Sequence, residues 1–529
     1  MKVLVCDSIS KEGLTPLLKD KRFEVIIKGK LDTEELSGYL SGGIEAVLLR
    51  SGTKIKRENL EKARKLRIIA RAGVGIDNID LAAATEKGVL VINAPSGNTI
   101  AACEHTVALI LSLARKIPAA DRSLKSGQWD KKAFVGVELF GRTAGIIGIG
   151  KIGMEVARRL ASFEMKILGF DPYVKQDDVK ESGIEMVDLP FLLKNSDIIT
   201  VHVPKNENTV NLINYKTMSG MKKTAFLLNC SRGGIVNEND LVKILNEKKI
   251  AGAALDVFEI EPLEKENLRT AENLIITPHL GASTVEAQEK VALSVAEDVK
   301  KFFDGEIPSS ACNFSFSGNF PKKEFAEYLA LAECLGNFAA QASKSLKNLK
   351  FTYGGEIADW DINPIKSAFL AGLFSRILDE RVNLINAVAI ARKRKVLWND
   401  FENPAQKDYS RFLEISAEGI NARGIVSLGK PRLVECNGFA ADIVLEGNIL
   451  MFSNRDVPGI IGKVGTIFGK EGLNIASMDV VRKEKDKNAF TMIKLDEKPG
   501  DEILNSIGKI GGITNIKRIV LSCPFEKPG

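Results

Sequence analysis

Residues Thr143 to Asp171 read TAGIIGIGKIGMEVARRLASFEMKILGFD. An apolar run, Gly145 to Ile147, leads into Gly148, Gly150 and Gly153. Met154, Val156, Ala157, Leu160 and Ala161 then recur at helical spacing, and Ile167 to Phe170 reads as a second strand ending in Asp171. Strand, glycine turn, helix, strand and acid in that order predict a dinucleotide site. Gly148 permits the tight turn, Gly150 lets the backbone approach a pyrophosphate, and Gly153 lets the helix pack on the sheet, while the helix N-terminus offers free N–H groups to the anion. Asp171 is then placed to accept the ribose hydroxyls and repel a 2′-phosphate, which favours NAD over NADP. Without the flanking strands and the acid, the same glycines would mark no more than a turn.

On the N-terminal side, five short apolar runs (Val3 to Val5, Val25 to Ile27, Ala46 to Leu49, Ile68 to Ala70, Leu90 to Ile92) alternate with helical patterns, the signature of an open parallel α/β unit. Its loops carry Arg50 and the run Arg71-Ala72-Gly73-Val74-Gly75, and loops at strand ends are where such folds bind ligands. Either arginine could equally serve a surface ion pair. Asn98 then precedes a long apolar helix, Ala101 to Ala114. On the C-terminal side, runs at Ile198 to Val203, Ala225 to Asn229, Ala251 to Leu255 and Leu274 to Thr277 predict a doubly wound sheet of six strands. A helix from about Thr284 to Phe303 is expected to return to the first unit and make it discontinuous. The pattern breaks at Phe314 to Phe325, after which the chain reads as another α/β domain to about Gly447. From Ile449 the order of elements is βαββαβ, a ferredoxin-like module.

At 529 residues the chain is too long for one core. Its net charge of +6 is spread over 74 basic and 68 acidic side chains, which argues against a nucleic-acid or membrane partner. No apolar run approaches membrane-spanning length and no export pattern opens the sequence, so a cytoplasmic protein is expected. Seven cysteines without CxxC pairing argue against a disulfide framework and against a metal site.

The candidates for acid–base chemistry are narrowed by there being three histidines. His105 lies mid-helix and reads as a packed core histidine; His202 ends a strand and could line a cleft without reacting. His279 follows Thr277-Pro278 at a strand end, with Glu261 on the preceding loop to support an imidazolium. Arg232, in Cys230-Ser231-Arg232-Gly233-Gly234, could grip a carboxylate bidentately. A loop-stabilising role for each of the three remains open from the residues alone.

The runs NCSRGGIVNENDL, AALDVFEIEP, ITPHLGAST and GIIGIGKIG resemble those of the D-isomer-specific 2-hydroxyacid dehydrogenases. With RAGVGIDNID, NAPSGNT and two further domains, the chain is similar to that family's long forms, which act on D-3-phosphoglycerate. The resemblance implies a two-lobed Rossmann-type α/β enzyme. Its parts would be a flavodoxin-like substrate lobe (1–97 and 285–313), an NAD-binding lobe (98–284), an intervening allosteric substrate-binding domain (314–447) and an ACT domain (448–529). It implies Arg232, Glu261 and His279 as catalytic residues. It implies cofactor contacts from Val74, Gly148, Gly150, Lys151, Ile152, Gly153, Asp171, Val203, Cys230, Ser231, Arg232, Asp256, His279, Leu280, Gly281 and Ala282. Substrate contacts fall on Arg50, Arg71, Asn98 and Lys131, and those of an L-serine effector on Asn454, Asp456 and Asn474. The activity implied is NAD-dependent oxidation of 3-phosphoglycerate to 3-phosphohydroxypyruvate, the entry to serine synthesis, in a homo-oligomer, dimer or tetramer. A reductase of unphosphorylated acids such as glyoxylate would share the catalytic residues but leave the added domains unused, and a redox-sensing corepressor would reuse the fold alone.

Overall fold

The computed structural model describes residues 1–314, 322–403, 409–482 and 488–521. Most of the predicted break at Phe314 to Phe325, and Cys523, lie outside the described residues. The first sheet holds β1 (Lys2–Val5), β2 (Glu24–Ile27), β3 (Ala46–Leu49), β4 (Ile68–Arg71) and β5 (Leu90–Asn93), all parallel, in the order β2-β1-β3-β4-β5. All four residues of β3 are buried, as a parallel strand covered on both faces requires. One cover is the helix Val285–Phe303, capped by Thr284, whose Val291, Ala292, Val295, Ala296 and Val299 enter the core of this sheet. The return of the chain to its first unit therefore stands as read.

The second sheet comprises β6 (Thr143–Ile147), β7 (Lys166–Phe170), β8 (Ile184–Met186), β9 (Ile198–Val201), β10 (Phe226–Asn229), β11 (Gly252–Leu255) and β12 (Leu274–Ile276). It is parallel throughout, in the order β12-β11-β10-β9-β6-β7-β8. Seven strands replace the six expected. The extra one, β8, is an edge strand of three residues, IEM, too short to register as an apolar run. The order reverses between β9 and β6, so the crevice beyond their carboxyl ends is the ligand position of the fold.

A mixed sheet follows, with β13 (Ser345–Gly355), β14 (Leu397–Glu402), β15 (Arg411–Glu418), β16 (Ile420–Ser427), β17 (Lys430–Cys436) and β18 (Phe439–Val444) in the order β14-β13-β15-β16-β17-β18, packed on the helices Lys322–Ala342 and Asn363–Phe374. The last sheet runs β20-β21-β19-β22, from β19 (Gly447–Arg455), β20 (Ile475–Arg482), β21 (Asn488–Leu495) and β22 (Ile513–Leu521), with the helices Ile460–Lys470 and Asp501–Gly508 on one face. This is the ferredoxin-like order. No helix among the described residues is long and apolar enough to cross a membrane.

Candidate active site

The carboxyl ends of the two parallel sheets carry the candidate residues: Arg50 just after β3, Arg71 ending β4, Gly148 after β6, Asp171 after β7, Cys230 after β10, Asp256 after β11 and Thr277 after β12. In the glycine loop, Gly148 has φ +95°, and a Cβ there would meet the His202 carbonyl oxygen at 2.5 Å. Gly150, which caps the helix Lys151–Ala161, faces open space instead. That helix has no acid in its first turn and no side-chain cap, so its N–H groups and dipole are free for an anion. The Asp171 carboxylate accepts the N–H of Ile149 at 3.0 Å and of Tyr173 at 2.9 Å, which ties this acid to the glycine loop. These features fit a dinucleotide. Lys151 donates its ammonium to the Ser96 hydroxyl and so joins the glycine loop to the connection between the lobes. Val203 lines the far side of the turn, with its Cγ1 against Gly148.

Opposite lies a knot of cations. Burial and the neighbouring charges of Arg232 and Arg50 pull the Arg71 guanidinium down to about 10, against the opposing pull of Asp77 and Asp7. Arg71 Nε and Asn98 Oδ1 are buried without a hydrogen-bond partner among the described residues. Arginines forced together with an unsatisfied donor describe an anion site. Asp7 shapes it: its carboxylate accepts the N–H groups of Arg50 (2.9 Å) and Thr53 (3.0 Å) and the Thr53 hydroxyl. Asn78 donates to the Arg50 and Thr53 carbonyls, and Asn93 to that of Val74, so the loops bearing Arg50 and Arg71 are held from below. The sequence reading passed over Asp7, Asn78 and Asn93. A polar residue ending an apolar strand was the available signal for Asp7 and Asn93.

Arg232 reaches this knot from the other lobe: its Nε lies 3.3 Å from the Asp77 carboxylate and its Nη1 donates to the Ser231 carbonyl at 2.7 Å. Asn229 bridges the turn, accepting from the Ser231 N–H and donating to the Arg232 carbonyl. Gly233 lies so close to Phe258 that a Cβ would overlap its carbonyl, and the Phe258 N–H donates to Glu261 Oε1 at 3.1 Å. Glu261 Oε2 is 2.8 Å from His279 Nδ1. Burial would push the Glu261 carboxyl up, but the hydrogen bond and charge of His279 and the Phe258 N–H hold it below the usual carboxylate range. With Nδ1 engaged, Nε2 of His279 is the nitrogen left to exchange a proton with a substrate. His202 is different: burial pulls its pKa down to about 4, and its Nε2 pairs with Thr200 at 2.9 Å, so it is neutral near pH 7.

His105 corrects the expectation of a packed core histidine. Its Nε2 lies 3.2 Å from both Thr277 Oγ1 and Asp256 Oδ1. Lys131 is exposed, with its ammonium over the Trp129 ring at 5.9 Å. In the last domain Asn454 is buried, accepting from Thr491 and donating to the Arg455 carbonyl, so both ends of its amide are used. Asp456 pairs with Arg482 at 3.2 Å and Asn474 donates to Asp496 at 2.6 Å. The register explains why these two do not meet: β19 and β20 both run antiparallel to β21, hence parallel to each other, so Asp456 follows one end of the sheet and Asn474 precedes the other. The eight residues of β20 separate them by about 25 Å.

Residues 107–281 match the model of the D-isomer specific 2-hydroxyacid dehydrogenase NAD binding domain, 324–437 that of the D-3-phosphoglycerate dehydrogenase intervening domain, and 448–512 that of the ACT domain. The chain is 40% identical to the D-3-phosphoglycerate dehydrogenase of Methanocaldococcus jannaschii, over 98% of its own length and 100% of that protein's. It is 39% identical to the enzyme of the same name from Bacillus subtilis, over 98% and 99%. Among solved structures, the D-lactate dehydrogenase of Aquifex aeolicus complexed with NAD and lactic acid is similar, with a TM-score of 0.52 and 31% identity, over 57% of this chain and 96% of that one.

Proposed function

The chain belongs to the D-3-phosphoglycerate dehydrogenase family, within the D-isomer specific 2-hydroxyacid dehydrogenases, and from that premise we propose that it oxidises the C2 hydroxyl of D-3-phosphoglycerate to the ketone, the first step toward serine. The observation that carries the substrate is the cluster of Arg50, Arg71 and Arg232 with its buried, unpartnered Arg71 Nε, which fits a ligand bearing both a phosphate and a carboxylate. Bound NAD supplies the hydride acceptor. The chain's residues do the rest: Arg232 orients the carboxylate, Arg50, Arg71 and Asn98 receive the phosphate end, and His279 Nε2 takes the hydroxyl proton while Glu261 supports the imidazolium through Nδ1. Lys131 is assigned to the phosphate as a point charge.

We place the division of the chain at 1–97 with 285–313, 98–284, 314–447 and 448–529. Because Asp456 and Asn474 stand at opposite ends of one sheet, an effector that uses both needs two copies of the chain. Antiparallel pairing of two β20 edges would set Asp456 of one beside the other's second effector residue, which supports a homo-oligomer with L-serine bound between protomers. The reduced thiols of Cys6, Cys103, Cys230, Cys312 and Cys436 fit a reducing cytoplasm. The test is steady-state NADH formation with D-3-phosphoglycerate, D-glycerate and D-lactate, each with NAD and NADP. Higher kcat/KM for an unphosphorylated acid would overturn the substrate assignment.

A further inference from the structure

The Asp256 carboxylate is fully buried, and four groups converge on it. The Thr277 hydroxyl donates to Oδ1 at 2.6 Å, the Leu280 N–H to Oδ1 at 2.7 Å, and the Gly281 N–H to Oδ2 at 2.8 Å. His105 Nε2 is the fourth, 3.2 Å from Oδ1 and from Thr277 Oγ1. A count of protons fixes the imidazole's role. Thr277 has one hydroxyl hydrogen and gives it to Asp256, so toward His105 it can only accept, and an ionised carboxylate also only accepts. Nε2 therefore carries a hydrogen shared between the two oxygens. Burial by itself would raise the Asp256 carboxyl; His105, Thr277 and the Leu280 N–H keep it below its ordinary range.

What this network holds is the backbone around His279. Thr277, Leu280 and Gly281 bracket that residue, whose φ of +57° lies in the left-handed region. A side chain with a Cβ adopts it at an energetic cost, and the anchors to Asp256 offset that cost. His105 comes from a different element, the helix Thr99–Ala114 that follows Asn98.

We propose that His105 is a positioning residue for the hydride-transfer site: by donating to Asp256 and Thr277 it holds the Thr277–Gly281 segment in the shape that presents His279 to Glu261 and to the substrate hydroxyl. The proposal rests on the dehydrogenase reading above. Without the imidazole, the buried carboxylate loses a donor and binds a proton, and a protonated oxygen is a poorer acceptor for the N–H groups that flank His279. Chemistry should suffer more than substrate binding, because the arginines of the anion site make no hydrogen bond to this network among the described residues.

The test compares His105→Ala with His105→Gln in the full chain, since glutamine can carry an N–H to about the place of Nε2. Two measurements are read: kcat against KM, and amide exchange of the segment containing Leu280 and Gly281. His105→Ala should lower kcat on the order of 10- to 100-fold, as a small misplacement of a reacting group does, with KM for the hydroxy acid within about twofold. It should also speed exchange at both amides, and His105→Gln should recover most of each. Wild-type kcat in His105→Ala, or equal loss in both variants accompanied by no change in amide exchange, overturns the proposal. If His105→Ala does not fold, Thr277→Val, which removes the shared hydroxyl, is read by the same two measurements with the same outcomes. A wild-type enzyme inert toward phosphoglycerate would instead count against the substrate assignment, and the exchange comparison would still decide the role of His105.

Discussion

Arg71 is held in an arrangement that is poor for folding, buried beside the charges of Arg232 and Arg50, and its replacement separates that cost from the proposed role in binding. Arg71→Ala should raise KM for D-3-phosphoglycerate by about 10- to 100-fold, the worth of a charge-assisted hydrogen bond, while KM for D-glycerate changes little. Arg71→Met, which keeps bulk and removes a buried charge facing Arg50 and Arg232, should raise the melting temperature of the ligand-free enzyme. Equal effects on both substrates, measured in parallel assays, would take Arg71 out of the phosphate site. Asp171→Ala should cost NAD more than NADP and narrow the preference at least tenfold, with weaker binding of both because the Ile149 N–H loses its acceptor. His202 sets a pH dependence: the unfolded imidazole binds a proton near its ordinary 6.5, the folded one near 4. Between these values the unfolded state holds more protons, so stability falls on acidification, by up to about 3 kcal/mol at the low end. Urea titrations from pH 7 to 4.5 should show that slope in the wild type and a shallower one in His202→Gln. At this scale the sequence was most legible where one motif holds the whole reason, as with Gly148, Asp171 and Arg232. It was least legible where the partner is distant in the chain. The helix pattern around His105 reports a buried face, and nothing in it announces that Asp256 and Thr277 lie opposite.

Elements were read well where burial is uniform. The parallel strands β1, β3, β4 and β5 are covered on both faces and surface in the sequence as apolar runs, whereas β13, SLKNLKFTYGG, belongs to a mixed sheet and mixes polar with apolar residues. The loop that carries Glu261 shows how an element positions chemistry. Glu238 opens the helix Glu238–Asn246, is buried, and accepts the Glu259 N–H at 2.6 Å while pairing with Lys265 at 2.6 Å; Lys265 also holds Glu259 at 2.7 Å. Both ends of the Glu259–Lys265 segment thus hang on one carboxylate. Removing it leaves the Glu259 N–H without its acceptor and the Lys265 ammonium with Glu259 alone, so Glu238→Ala should cost about 2 kcal/mol of stability and lower kcat through Glu261. Thermal melts and kcat measured together check this. A variant as stable as the wild type with unchanged kcat would show that the segment does not need the anchor.

At the scale of the molecule, the C-terminal sheets are less separable than their order along the chain suggests. Ile449, Met451, Phe490, Met492, Ile519 and Leu521 enter the same hydrophobic core as the helix Lys322–Ala342, so the face of the last sheet away from its own helices is covered by the preceding domain. The amide of Gln341 donates to the Val520 carbonyl at 3.0 Å and accepts its N–H at 2.9 Å, pairing with the edge strand β22 as another strand would, and Arg376 adds a bond to the same carbonyl. This double domain is in turn fastened to the first sheet: Arg381 donates to the Leu66 carbonyl at 2.7 Å, Asn383 to that of Gly88 at 2.7 Å, and Leu384 and Ile385 pack on its core. Leu66 and Gly88 precede β4 and β5, the strands that end in Arg71 and Asn93. A fragment of residues 449–529 would expose an apolar sheet face, whereas one of 322–529 keeps it covered. The shorter fragment should therefore bind a hydrophobic dye and melt without a cooperative transition, and the longer should melt cooperatively. A fragment of residues 1–314 retains both parallel sheets and the proposed catalytic residues, and the carbonyls it uncovers can bond to water, so its kcat should stay within a few-fold of the full chain while any serine response disappears. Serine binding should be sought by calorimetry in the full chain or in 322–529. A cooperative, dye-silent melt of 449–529 would mean that its sheet face does not need the cover, and would return the last domain to the status of an independent module.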